Sequence, residues 1–190
     1  MNRKLKITFN APVTLTLVLV SFLVTLAGYL TGGVSTEAFF MTYHSSLTNP
    51  LTYVRFFTHI FGHSGWEHFI GNAMYLLLLG PTLEDKYGPK VLTLVIAVTA
   101  AVTGIANYIL FPNTALCGAS GVVFAFIMLI SLTGVHDREI PLTFILVAVL
   151  FIGQQVLEGI LAKDNISQLT HILGGGVGTV LGYRINTSRR

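Results

Sequence analysis

The run Cys117-Gly118-Ala119-Ser120-Gly121-Val122-Val123-Phe124-Ala125-Phe126-Ile127-Met128-Leu129-Ile130 joins a short glycine-rich head to an unbroken apolar tail. It reads as a membrane span from Ser120 to Val135, with a serine opening the helix. Composition makes the same case for the whole chain. Of 190 residues, 53% are hydrophobic and 10% charged, and the mean hydropathy is +0.73. A soluble domain carries roughly a quarter of its residues as charged side chains, so this polar surface is too small to solvate a globule. One cysteine, Cys117, excludes a disulfide scaffold and says nothing about redox compartment. The net charge of +3 would suggest nucleic acid in a soluble protein. In a membrane protein it marks cytoplasmic loops instead, and no nucleic-acid partner is expected.

Apolar runs of about 20 residues span a hydrocarbon core of roughly 30 Å. Six are expected: 12–30, 68–83, 90–110, 120–135, 141–161 and 169–183. The breaks between them are Thr31-Gly32-Gly33, Gly80-Pro81 with Glu84-Asp85-Lys86, Phe111-Pro112-Asn113, His136-Asp137-Arg138-Glu139 and Lys163-Asp164-Asn165. The fold class is therefore all-α, a polytopic six-helix bundle forming one membrane domain over 1–190. With the amino terminus inside, Arg3, Lys4, Lys6, Lys86, Lys90, Arg138, Arg184, Arg189 and Arg190 are cytoplasmic, leaving Arg55 and Lys163 outside. That bias places both termini in the cytoplasm of a cell (inner) membrane. The first span is too long for a signal peptide and lacks a small-residue cleavage site, so it is expected to be retained. The long connection, about 32–66, lies outside, and its length implies structure of its own.

Polar residues inside a bilayer mark function by default. On the second span His68 and Asn72, four apart, share one face with Tyr75. On the sixth, His171 shares a stripe with Gly175, Gly178 and Gly182, with Gly174 at its edge; small residues there let a neighbouring helix approach. At about 1.5 Å of rise per residue, Ser120 stands about 22 Å above its helix's inner end, and Asn72 and His171 about 18 Å. The three sit at one level. A serine hydroxyl attacks a carbonyl only when a base takes its proton, and His171 is the available base. Apart from Glu158, which suits the outer interface, no Asp or Glu occupies the outer half of a span, which leaves a two-residue dyad. The Ser120 amide at a helix start, with His68 and Asn72, would supply oxyanion donors. Gly118 and Gly121 would let the backbone approach substrate and the sixth helix, and Phe124 would pack on the His171 ring.

These residues resemble the rhomboid family of intramembrane serine proteases. Gly118-Ala119-Ser120-Gly121 matches its Gly-x-Ser-Gly, His171 with Gly174 and Gly175 its histidine followed by small residues, and His68 with Asn72 its His-x-x-x-Asn. The resemblance implies Ser120 as nucleophile, His171 as base, and an oxyanion hole of His68, Asn72 and the Ser120 amide. It also implies single-span membrane proteins as substrates, cut near the outer face after small side chains, with the fifth span and a cap loop about 162–168 as gate. The family's loop Trp-Arg is Val54-Arg55 here, and Phe124 replaces a common tyrosine.

Taken singly, Ser120 reads as a helix cap or packing residue, His171 as a satisfied cavity histidine and the glycines as packing. Their conjunction favours the dyad. A zinc site at His59, His63 and His68 lacks further ligands except Glu67, so no metal or cofactor is expected. Glu158 suits the outer interface, and Gln154 and Gln155 suit either a gate or that interface. Glu84 and Asp85 are expected to tie the second helix to its neighbours, and Arg55 to reach lipid headgroups. The competing functions are a catalytically silent membrane-protein binder and a small transporter. The binder would be expected to lack Ser120 or His171, and a transporter usually carries the internal symmetry that this chain lacks.

Overall fold

Prolines set several of the helix starts. Pro12, Pro50 and Pro89 occupy first turns, where a missing N–H removes no hydrogen bond. The computed structural model describes residues 8–133, 139–161 and 166–188. Among them are six long helices: α1 (Pro12–Leu30), α4 (Trp66–Tyr87), α5 (Pro89–Leu110), α6 (Ser120–Ser131), α7 (Leu142–Leu161) and α8 (Ile166–Ser188). Two short helices, α2 (Val34–Phe39) and α3 (Pro50–Thr58), and a 3-10 turn (His59–Phe61) fill the long first connection. The only β pairing among the described residues is an isolated bridge, Thr42 to Leu116. The terminal basic residues Arg3, Lys4, Lys6, Arg189 and Arg190, the His136-Asp137-Arg138 turn, and Lys163, Asp164 and Asn165 of the cap loop lie outside the described residues.

Three boundaries differ from the sequence expectation. Gly80-Pro81 does not break the second span: α4 runs through Pro81 to Tyr87 and stops at Gly88, whose φ is +84°. Packing overrides the local signal, because Gly80 lies so close to Thr14 of α1 that a Cβ there would meet its side chain at 2.4 Å. Helix α6 ends at Ser131, short of Val135. Helix α8 extends beyond the expected span at both ends.

The bundle is built around α6, which packs on α4, α5, α7 and α8. Val122, Ala125, Phe126 and Leu129 of α6 are fully enclosed, whereas Leu78, Ile109, Leu150 and Val180 on the outer helices are exposed. An apolar exterior of this extent suits hydrocarbon rather than water. By length and composition alone α1 and α5 can cross a membrane; α6 and the apolar part of α7 are shorter. Helices α6 and α8 approach backbone to backbone. A Cβ at Gly174 would lie 2.2 Å from the Gly121 carbonyl oxygen, and one at Gly178 would lie 2.2 Å from that of Ala125. Gly174 is thus at the centre of this contact rather than at its edge, and Gly175 lies between Phe151 of α7 and Met128 of α6. At the far end, α1 has no side-chain N-cap of its own. The buried Glu84 carboxylate of α4 takes that role, accepting from the amides of Val13 and Thr14 and from the Thr14 hydroxyl at 2.9–3.0 Å.

Arg55 does not reach out to headgroups. It is buried, its Nε and Nη2 donate to the Ala38 carbonyl at 2.9 and 2.7 Å, and its guanidinium lies 4.5 Å from the centre of the Tyr43 ring. The side chain therefore holds α2 to α3. Five donors in a rigid fork suit this carbonyl-clasping role.

Candidate active site

The loop before α6 is fixed from two sides. Thr42 and Leu116 exchange backbone hydrogen bonds at 2.9 and 2.8 Å, and the Gly118 amide donates to the His59 carbonyl at 2.9 Å. Gly118 has φ +128°, a conformation L side chains rarely adopt. A Cβ there would stand 2.7 Å from His68 Cε1 and 2.8 Å from Nε2. The glycine therefore lets the α4 histidine lie directly against this loop. Ser120 follows as the first residue of α6, after Ala119, which offers no side-chain cap. Its amide belongs to the first turn, whose N–H groups have no intrahelical acceptor.

Four helices close around this point. Glu67, His68, Asn72, Cys117, Ser120, Phe124, Gln154 and His171 are among the residues lining one cavity of about 610 Å³ between α4, α6, α7 and α8. The structure thus brings Ser120, His171, His68 and Asn72 to the same space, with Phe124 on its wall. Gly118, Gly121 and Gly174 are buried around it. Gly121 also approaches α5, where a Cβ would meet Thr103 Cγ2 at 3.2 Å.

Polar groups in the cavity are arranged unequally. His68 Nδ1 is 3.1 Å from Ser64 Oγ. With the hydroxyl donating, the ring carries its proton on Nε2. Asn72 is buried, and its Nδ2 has no hydrogen-bond partner among the described residues. Leaving such a donor unpaired costs about 1–3 kcal/mol. Burial pushes the Cys117 thiol up to about 11, which disfavours the reactive thiolate.

Contacts with Phe124 and Gln155 help to hold His171. Its ring lies 4.4 Å from that of Phe124, which stacks in turn on Phe151 of α7 at 4.4 Å. Its Nδ1 is 2.7 Å from Oε1 of Gln155. In the sequence Gln155 suits either a gate or the interface, and no motif marks Phe151 or Ser64. The available signals were a glutamine inside an apolar helix and a serine four residues before His68.

The other histidines serve the loop. His59 is fully enclosed; its Nδ1 donates to the Arg55 carbonyl at 3.2 Å, and its Nε2 is 3.2 Å from Thr103 Oγ1. Burial lowers its pKa to about 4, against the raising effect of the Arg55 and Phe56 backbone. His63 packs edge-on to His68 at 5.0 Å and donates from Nδ1 to the Phe61 carbonyl. Burial, then the nearby His68 charge, lowers it to about 4. Among the described residues no group of three His, Cys, Asp or Glu side chains is placed to share a metal ion.

Comparison with known proteins points to one family. The profile of the Rhomboid domain matches residues 50–187. Rhomboid-related protein 1 of Caenorhabditis elegans is 33% identical over 143 residues, covering 68% of this chain and 39% of the relative. Rhomboid-like protein 11, chloroplastic, of Arabidopsis thaliana is 25% identical over 141 residues, 67% of this chain and 50% of the relative. Rhomboid-related protein 2 of Mus musculus is 29% identical over 163 residues, 73% of this chain and 53% of the relative. The chain spans about two fifths to one half of the length of these relatives.

Proposed function

The chain belongs to the rhomboid family of multi-pass, all-helical membrane proteins, and from that premise we propose that it is an intramembrane serine endopeptidase using a Ser120–His171 dyad. The observation that carries this reading is that Ser120, His171, His68 and Asn72 line one cavity, in which the Asn72 amide is a buried donor without a partner among the described residues. A donor kept unpaired in a low-dielectric site is energetically justified when an anion forms beside it.

In the proposed reaction the Ser120 hydroxyl attacks the scissile carbonyl carbon as His171 Nε2 takes its proton, the two groups coming within about 3 Å. The carbonyl oxygen becomes an oxyanion. It accepts hydrogen bonds from Asn72 Nδ2, from His68 Nε2–H and from the Ser120 amide. Collapse of the tetrahedral species breaks the C–N bond, and the imidazolium returns its proton to the leaving amine. A water molecule then repeats the sequence on the acyl-enzyme and frees Ser120. Phe124 offers His171 a flat face but no hydroxyl, so orientation of the base here depends on stacking and on its second nitrogen.

The substrates under this reading are single-span membrane proteins cut near the outer face of the bilayer. Both chain termini are cytoplasmic in a cell membrane, with lipid the other contact partner. Helix α7 borders the cavity through Leu150, Phe151 and Gln154 and is the side from which a substrate helix enters.

The test is cleavage of a reporter single-span protein by the purified chain. Ser120→Ala and His171→Ala should each be inactive while retaining the thermal unfolding profile of the parent. Cleavage retained by a folded Ser120→Ala variant rejects the mechanism. A parent chain that captures the reporter uncut supports a silent binder instead.

A further inference from the structure

Helix α7 is apolar over most of its length, yet Gln155 on it is only 2% exposed. Burying an amide away from water is costly unless it is hydrogen-bonded. Its oxygen lies 2.7 Å from Nδ1 of His171. One turn earlier on the same face, Phe151 stacks on Phe124, which faces the His171 ring. Two side chains of α7, four residues apart, thus bear on the same imidazole, Phe151 indirectly by backing Phe124 and Gln155 directly by a hydrogen bond.

From this we infer that Gln155 is a positioning residue for His171, an assignment that rests on the protease reading above. An amide oxygen has no proton to give, so Nδ1 must carry the ring proton and the basic lone pair lies on Nε2. A base that is to take a proton from Ser120 through Nε2 needs this tautomer. The place an orienting carboxylate would occupy is filled by a neutral amide. Such a group fixes the ring's tautomer and rotation without the desolvation cost of a buried negative charge. Because the acceptor is carried on α7, the base is set only while α7 stays packed against α6 and α8. The other titratable side chains on the cavity, Glu67, His68 and Tyr75 of α4 and Cys117 of the preceding loop, belong to different elements from Gln155.

The experiment compares Gln155→Leu and Gln155→Glu with the parent in two readouts. Gln155→Leu should lower kcat about 10- to 100-fold with KM nearly unchanged, since the ring loses its fixed tautomer while the substrate cavity keeps its walls. Gln155→Glu keeps an acceptor oxygen at the same reach and should recover most of the loss. In protein carrying 15N-labelled histidine, with the His171 resonances identified from the His171→Ala spectrum, the parent should have its proton on Nδ1. In Gln155→Leu the two tautomers should mix. A parent with the proton on Nε2 overturns the assignment even if the leucine variant does not fold. So does a folded Gln155→Leu that cleaves at the parental rate. An active Ser120→Ala would instead overturn the protease reading, so the two failures are distinguishable.

Discussion

Replacing Asn72 by alanine should separate stability from activity in an unusual direction. Most buried polar side chains are held by partners, and truncating them destabilises the fold. Asn72 Nδ2 has no partner among the described residues, so truncation removes a desolvation penalty of about 1–3 kcal/mol. Against this stands the loss of packing by a side chain that is 7% exposed and borders an existing cavity. Small truncations beside open space cost little, because no new closed void of any size is formed. The packing loss opposes the relieved penalty and does not exceed it, so the midpoint of thermal unfolding should stay within a few degrees of the parent or rise. Activity should behave otherwise. One oxyanion donor of three is lost, which corresponds to a fall in kcat of about 10- to 1000-fold, or about 1.4–4 kcal/mol of transition-state stabilisation. The assay pairs initial rates of reporter cleavage in micelles with an unfolding scan of the same preparation. An Asn72→Ala variant that cleaves at the parental rate, or whose lost activity follows a fall of ten degrees or more in its midpoint, would show that Asn72 is not an oxyanion donor.

Gly118→Ala places a methyl group 2.7 Å from His68 Cε1 on a backbone with φ +128°. It should cost about 1–3 kcal/mol in strain and lower the cleavage rate at least about tenfold; unchanged rate and midpoint together would contradict the packing described. Glu84→Gln weakens the charged cap on the first turn of α1 and should destabilise the fold by about 1–3 kcal/mol, while the folded fraction keeps its parental specific rate. Acid should weaken the first connection. His59 and His63 have folded-state pKa values lowered to about 4 against 6.5 in a free chain, so the unfolded state takes up protons first as pH falls. Stability is full above about 6.5 and is lost progressively down to about 4, by roughly 3 kcal/mol for the fully enclosed His59. An unfolding midpoint that is flat between pH 7 and pH 4.5 would contradict this.

The helices were readable because an apolar run in lipid has few alternatives to an α-helix, which satisfies its own backbone. Helix α1 begins at Pro12 and ends at Leu30, as its apolar run does. Helical rise put Ser120, Asn72 and His171 at one level in the sequence, whereas their lining of one cavity depends on how the helices pack. What the sequence did not disclose depends on contacts between distant segments. Gly80-Pro81 has the composition of a turn, yet tight packing against Thr14 keeps α4 helical through it. Arg55 carries the charge of a headgroup anchor, but Ala38 and Tyr43 enclose it. Glu84 was legible as a tie between helices, though not as the cap of α1. Gln155 was ambiguous for the same reason: a glutamine near a helix's outer end suits an interface as well as a hydrogen bond, and only the placement of α8 selects between them.

The central claim is that Ser120 is a nucleophile activated by His171. The direct measurement is labelling with a fluorophosphonate, followed by mass spectrometry of the modified peptide. One phosphonyl group is expected on Ser120 in the parent chain and none in His171→Ala, with both proteins folded. A parent that stays unlabelled, or a His171→Ala variant that labels at the parental rate, would contradict it.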